Sequence, residues 1–222
     1  MRTSYRMGRR TVEITHPDRV LSPDDGLTKA DLAEYYHAVA GVIVPHLADR
    51  PLMLERFPDG IGAGGFYQKE AGRGVPGWIR TVEVRKEDGS VRHPVVDDAA
   101  ALLALTNLST VSFHRWPSRA DRLDRPDLLT VDLDPSTDDF DEVRQAARWT
   151  RDVLDDLDLA AYLQVTGSRG VHVVARQPPT RRSRQRRDRR RTRCPVASQP
   201  VVRPAAGLSR SRGTRRGAAR RR

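Results

Sequence analysis

Leu128-Leu129-Thr130-Val131-Asp132-Leu133-Asp134-Pro135 opens as a run of strand formers and closes as a pair of acids. A short apolar run of this kind reads as a buried strand, with Leu and Val covering both faces. Side chains alternate across a strand, so Asp132 and Asp134 leave the same face, roughly 6–7 Å apart at Cα. Pro135 has no N–H to offer a ladder and stops the strand. Two carboxylates on one exposed strand end repel each other unless a cation sits between them. Oxygen ligands on a rigid edge suit Mg²⁺ or Mn²⁺. Asp-x-Asp alone is common, however, and Asp134 before a proline equally suits a turn or a helix cap.

Charge is distributed unevenly along the 222 residues, whose formal net is +11. Residues 177–222 hold seventeen arginines against one acid, Asp188, a net of +16; the 23 basic and 28 acidic residues of 1–176 leave that part at −5. The basic character therefore belongs to the tail, and the body is a mildly acidic globular domain. Cys194 is the only cysteine, so no disulfide framework forms within the chain, which fits a reducing cytoplasm. No apolar stretch approaches the length of a membrane span. The basic N-terminus has no apolar segment behind it, so it is not read as a secretory signal.

Outward from the acidic strand, the pattern mixes strands and helices, and the fold class expected is α+β. Residues 1–10 read as a flexible lead and 11–176 as the domain. Thr11 to Thr15 alternates as a strand, and turns follow at 16–19 and 22–26. Thr28 with Asp31 three residues on resembles a capping box, and apolar residues from Leu32 to Ile43 recur at helical spacing as far as Pro45. Pro51 to Phe57 is a strand that turns into a glycine-rich loop ending at Phe66-Tyr67. Strands at 81–84 and 91–96 are joined by a turn containing Asp88-Gly89. Asp97 is read as the cap of an Ala/Leu-rich helix, and 109–116 as a strand carrying His114. Past the acidic strand, Asp138 or Asp139 caps a helix whose apolar face holds Phe140, Val143, Ala147 and Leu154. Strands at 161–165 and 171–175 bracket Thr166-Gly167-Ser168-Arg169-Gly170.

That loop is the second motif. Two glycines let backbone N–H groups approach a ligand, Thr166 and Ser168 add hydroxyls, and Arg169 adds a cationic fork, with His172 just beyond. Taken alone it is equally an ordinary hairpin loop with a surface arginine. Taken with Asp132 and Asp134 it spells metal plus phosphate, and so phosphoryl or nucleotidyl transfer.

Eight stretches in order now resemble the polymerase domain of bacterial ligase D, a branch of the archaeo-eukaryotic primase superfamily. They are His16-Pro17-Asp18-Arg19-Val20-Leu21 with Thr28-Lys29-Ala30-Asp31-Leu32, then Arg50-Pro51-Leu52, Phe66-Tyr67-Gln68-Lys69, Phe113-His114, Pro126-Asp127, Asp132-Leu133-Asp134-Pro135 and Thr166 to His172. The resemblance covers about 11–176. It implies a primase-polymerase fold of mixed sheets with flanking helices, and template-directed nucleotide addition in gap filling and end joining. It further implies Mn²⁺ or Mg²⁺ on Asp132 and Asp134, and an incoming nucleoside triphosphate held by Thr166, Ser168, Arg169, His172 and His114. Thr166 and Arg169 stand where the family usually has Ser and Lys, which keeps the donor chemistry. Arg19 and Lys29 match a basic pair that takes the 5′-phosphate of a downstream strand. Phe66 and Tyr67 match an aromatic pair that stacks on DNA, with Lys69 beside them, although core packing accounts for one of the two equally well. The partners implied are 5′-phosphorylated DNA ends or gaps, a DNA ligase and an end-binding protein. The compartment implied is the cytoplasm, at the nucleoid.

Past Ala175 the resemblance ends. Residues 177–222 run in Arg, Pro, Ala, Gly and Ser with no aromatic residue, a composition that cannot bury a core. These residues share GC-rich codons, so the tail is read as a disordered frameshift product, the C-terminal part of the domain and a third metal-binding acid being missing. A poor or inactive polymerase is expected. Two other classes remain open on the residues alone: an Asp-x-Asp glycosyltransferase, and a non-enzymatic basic DNA-end binder driven by the tail.

Overall fold

Hydrophobic alternation in the first fifteen residues already builds a hairpin. In the computed structural model, which describes residues 3–137, 139–167 and 169–176, Thr3–Met7 (β1) pairs antiparallel with Arg10–Ile14 (β2). The flexible lead expected over 1–10 is thus a strand. Tyr5 and Met7 pack against the core that buries Val12 and Ile14, and the ladder satisfies the backbone. Val20–Ser22 (β3) and Leu27–Thr28 (β4) form a short second hairpin. Thr28 then caps α1 (Lys29–Leu47) as its sequence predicts: its hydroxyl accepts from the Asp31 amide, and the Asp31 carboxylate accepts from the Thr28 amide at 2.7 Å. Pro45 lies in the last turn without ending the helix at once. Ala33, Tyr36, Ala40 and Leu47 form its buried stripe.

Leu52–Arg56 (β5) and Phe66–Gln68 (β6) follow, then the hairpin of Thr81–Lys86 (β7) and Gly89–Pro94 (β8). Gly89 pairs opposite Lys86 at φ 127°, so the hairpin turn is Glu87-Asp88, one residue earlier than the Asp-Gly signal suggests. Helix α2 (Ala99–Thr106) is buried from Ala100 to Thr106, as a helix apolar on all sides must be. Its cap is Asp98, whose side chain accepts from the Ala101 amide, and not Asp97. The Asp97 carboxylate is taken by Arg80 and by the Asp49 amide. Thr110–Arg115 (β9) completes a sheet of order β6-β5-β9 beside the main core.

A second sheet holds the organising strand. Leu128–Leu133 (β10) is followed by α3 (Phe140–Asp156), Ala161–Val165 (β11) and Val171–Arg176 (β12), with order β10-β12-β11, all antiparallel. Asp139 caps α3. Leu129, Val131 and Leu133 face a small core with Val173, Ala175, Ala147 and Leu154, while Thr130 and Asp132 face outward. The strand is therefore buried on one face and not on both, because an antiparallel sheet with a helix on one side leaves the other side open. Val143 and Leu154 are buried on α3, but Phe140, its first residue, is 47% exposed and not part of the core face.

Arg50 ties the two sheets together. Its guanidinium, 3% exposed, donates to the Trp116 and Pro117 carbonyls and, through Nη2, to Asp127 Oδ2 at 2.8 Å, one residue before β10. All described residues fall within one compact unit, Met1–Arg181. The tail, Cys194 and Asp188 lie outside the described residues. Among the described residues no helix is long and apolar enough to cross a membrane.

Candidate active site

Register brings the first and second motifs together. Asp132 on β10 stands directly opposite His172 on β12, and His172 Nε2 lies 3.2 Å from Asp132 Oδ1. Both side chains are partly exposed, at 41% and 31%. Asp134 follows just past the end of β10 and is exposed. Its carboxylate lies against Gly170: a Cβ built there would sit 2.2 Å from Asp134 Oδ1 and 2.8 Å from Leu133 O. Only glycine admits this approach. The loop between β11 and β12 is closed by Thr166, whose hydroxyl donates to the Gly170 carbonyl at 2.9 Å, and Gly167 turns it at φ 82°. Arg169 is exposed beside it. Ser168 lies outside the described residues. Asp132, Asp134, Thr166, Arg169 and His172 thus share one end of one sheet.

His114 is on the other sheet. It sits on β9, where its Nε2 is 3.4 Å from the Glu55 carboxylate, and its ring meets Tyr67 edge-on at 5.4 Å. Tyr67 stands opposite Glu55 across β5 and β6. Burial first, then the neighbouring Glu55 carboxylate, push the Tyr67 phenol up. Phe66 and Tyr67 are consecutive strand residues and point to opposite faces. Phe66 is 48% exposed and Tyr67 40%, so neither is a core residue. Lys69 is exposed just past β6.

The third group lies where the segment before β3 meets α1 and the end of β5. Lys29 is 5% exposed, and its Nζ donates to the Thr15 carbonyl at 2.7 Å. Burial, and then the charges of Arg19 and Arg56, pull its ammonium down to about 8. Arg19 is exposed and donates to the Pro58 carbonyl at 2.6 Å. The turn carrying Pro58 packs closely on this segment: Gly60, at φ 90°, leaves only 3.3 Å between a would-be Cβ and Leu21 O.

Glu55 and Arg56 are absent from the sequence motifs. Their signal was two charges in succession at the end of an alternating strand. That breaks the pattern and marks the register shift seen between Glu55 and Arg56 against β9.

The chain matches the family model of the LigD primase-polymerase domain over residues 28–204. The match begins inside the first motifs and runs beyond Ala175. Among curated proteins, the chain is 29% identical over 165 residues to the multifunctional non-homologous end joining protein LigD of Mycolicibacterium smegmatis. It is 32% identical over 165 residues to LigD of Pseudomonas aeruginosa, and 29% over 163 residues to the bifunctional LigD of Bacillus subtilis. Each alignment takes in 73% of this chain but 22%, 20% and 26% of the relative, so the chain spans about a fifth to a quarter of their length. Among solved structures, the polymerase domain from Mycobacterium tuberculosis ligase D in complex with DNA superposes with a TM-score of 0.70 at 29% identity, covering 76% of this chain and 62% of that one.

Proposed function

The chain belongs to the LigD primase-polymerase domain family, and from that we propose that it is a DNA-directed nucleotidyltransferase that fills gaps and extends ends in non-homologous end joining. The observation that carries this reading is the meeting of Asp132 with His172, and of Asp134 with Gly170, at the mouth of the Thr166–Gly170 loop. Two hard carboxylates on one strand face fit Mn²⁺ or Mg²⁺ in charge and donor type. No group of three or more His, Cys, Asp or Glu side chains gathers among the described residues. Asp132 and Asp134 would thus supply two ligands, the remainder coming from water and phosphate oxygens. A divalent ion held there would supply the positive charge that favours a hydroxyl nucleophile and offsets the charge of a leaving pyrophosphate.

The chain's own residues bind and orient. Arg169, Thr166, Ser168 and His172 would hold the triphosphate against the carboxylates, with His114 reaching it from the other sheet. Arg19 and Lys29 would take the 5′-phosphate of the downstream strand, and Phe66, Tyr67 and Lys69 would contact DNA. A DNA ligase and an end-binding protein are the partners expected, in the cytoplasm at the nucleoid. Two carboxylates fix ion spacing less tightly than three, and small misplacements weigh heavily on the barrier, so extension is expected to be slow.

Family membership displaces the glycosyltransferase reading. The experiment is gap filling on a 5′-phosphorylated template–primer with Mn²⁺ and nucleoside triphosphates, using the chain, its Asp132→Ala variant and a version frame-corrected after residue 176. Extension that is lost in Asp132→Ala and faster in the frame-corrected version is expected. DNA binding with no extension by any of the three proteins would leave only a non-enzymatic end binder.

A further inference from the structure

Beside the Arg19–Lys29 pair, β5 ends in a cation with no motif of its own. Arg56 is half-buried and rigidly held. Its Nε donates to the Leu108 carbonyl at 2.9 Å and its Nη1 to Gln68 Oε1 at 2.5 Å. The Gln68 amide is fixed in turn by donating to the Glu70 carbonyl. Both acceptors of Arg56 are neutral. Among the described residues no salt bridge reaches Arg19, Lys29 or Arg56. Of the five N–H hydrogens of a guanidinium, two are used, and Nη2 makes no hydrogen bond to a described residue. Hydrogen bonds link Arg56 to Lys29: Lys29 Nζ donates to the Thr15 carbonyl at 2.7 Å, the Thr15 N–H donates to Asn107 Oδ1 at 2.9 Å, and Arg56 Nε donates to the carbonyl of the next residue, Leu108; the Arg56 charge accordingly weakens the Lys29 ammonium's hold on its proton, behind burial and Arg19. Three cations gathered around neutral acceptors is a costly arrangement until an anion joins them.

Register adds a ring. Arg56 pairs directly with Phe66 across β5 and β6, and the guanidinium carbon lies 5.3 Å from the Phe66 ring centre. Tyr67, the next residue, points to the opposite sheet face, with Glu55 and His114.

We infer that Arg56 is a third ligand of the phosphate taken by Arg19 and Lys29, and that Phe66, not Tyr67, is the stacking wall for the nucleoside that carries it. The inference rests on the reading of Arg19 and Lys29 as a 5′-phosphate pair. Lys29 acts as a buried point charge, while Arg19 and Arg56 offer forks that suit phosphate oxygens. Arg56 against Phe66 fixes the ring and leaves its exposed side to a base. The aromatic dipeptide is thereby divided between two sites, one reading the downstream 5′ end and one beside His114.

Fluorescence anisotropy at fixed salt measures the affinity for a gapped duplex whose downstream strand ends in 5′-phosphate or 5′-hydroxyl, for the chain and for Arg56→Gln, Arg56→Lys, Phe66→Ala and Tyr67→Ala. Thermal melting of each variant is followed alongside. The unaltered chain prefers the phosphate. Arg56→Gln cuts that preference about tenfold or more, the worth of one charge-assisted hydrogen bond, and Arg56→Lys, which keeps the charge, cuts it by less. Phe66→Ala weakens binding to both ends, and Tyr67→Ala, whose contact with DNA lies on the opposite sheet face, weakens it by less. Full preference retained in Arg56→Lys and Arg56→Gln, or a Tyr67→Ala loss equal to that of Phe66→Ala, overturns the inference. Absence of any phosphate preference in the unaltered chain instead overturns the reading of Arg19 and Lys29 beneath it.

Discussion

Gly170→Ala tests the active-site packing with a single methyl group. The added Cβ would lie 2.2 Å from Asp134 Oδ1 and 2.8 Å from Leu133 O, against an ordinary contact of 3.4 Å or more. The Asp134 oxygen must therefore retreat by about 1.2 Å and the Leu133 carbonyl by about 0.6 Å. The carboxylate moves cheaply because it ends a side chain. The carbonyl belongs to β10, so the β10–β12 ladder has to open, at roughly the 1–3 kcal/mol of an overpacked site. For a chain of this size that is a fall in Tm of roughly 2–4 °C per kcal/mol. If Asp134 holds a metal ion as proposed, binding of that ion is expected to suffer more. Ligand distances at a hard cation tolerate only about 0.2 Å, and displaced support of a ligand commonly costs about 10–100-fold in affinity. Calorimetric titration of Mn²⁺ into the chain, Gly170→Ala and Asp134→Ala, with melting curves for each, reads both effects. A Gly170→Ala variant that binds Mn²⁺ as tightly as the unaltered chain, when Asp134→Ala does not, would refute the packing argument. Undiminished binding in both would refute Asp134 as a ligand.

Asp132→Ala is expected to abolish calorimetric Mn²⁺ binding, because one carboxylate alone does not hold a hard dication. The preference for 5′-phosphorylated gaps is expected to fall as pH rises through about 8, where the free Lys29 ammonium loses its proton, and a preference constant to pH 9.5 would exclude Lys29 from the pocket. The sign for the unliganded chain is opposite. A lysine whose folded pKa is lowered carries more protons unfolded than folded between about 8 and the ordinary 10.4, so its contribution to stability rises over that interval, as denaturant midpoints at pH 7.5 and 9.5 would register. Arg50→Ala is expected to cost about 1–3 kcal/mol, since it removes the donor to the Trp116 carbonyl and the shorter of the two Asp127 pairs, leaving Asp127 to Arg119 at 3.3 Å; an unchanged urea midpoint would contradict the role given to that guanidinium. Deleting 177–222 is expected to remove most of the salt dependence of DNA binding, read as the slope of log affinity against log salt, while sparing the phosphate preference.

The capping box at Thr28, the acidic strand and the loop before His172 were legible because each is a local pattern with a local cause. The meeting of Asp132 with His172 was not, although both were named. Asp132 and His172 pair across forty positions of sequence, and no local signal sets that register. Burial of the organising strand was misjudged for a related reason: Leu129, Val131 and Leu133 alternate with polar partners only if Leu128 is set aside. β1 leaves little trace in the sequence because none of its five residues is buried and two are exposed, while its partner strand supplies the buried side chains. Asp97 and Asp98 offered two equivalent caps, and the choice between them fell to Arg80, which lies far from both in the chain. Glu55 and Arg56 looked like the polar end of a strand, and only the sheet register shows that they serve two different faces.

The Arg50 clamp also bears on which parts of the molecule breathe separately. Its head group reaches partners 66, 67 and 77 residues away, and the last of them leads directly into the strand that carries Asp132. Swinging β10 and its helix away as a unit would strand a buried guanidinium beside two carbonyls, so partial opening is disfavoured relative to unfolding both cores at once. Amides in β10 and β12 should therefore exchange with solvent in step with those of β5. Opening governed by such a clamp would be all-or-none, and would leave the carboxylate pair aligned between openings despite the thin core beneath it.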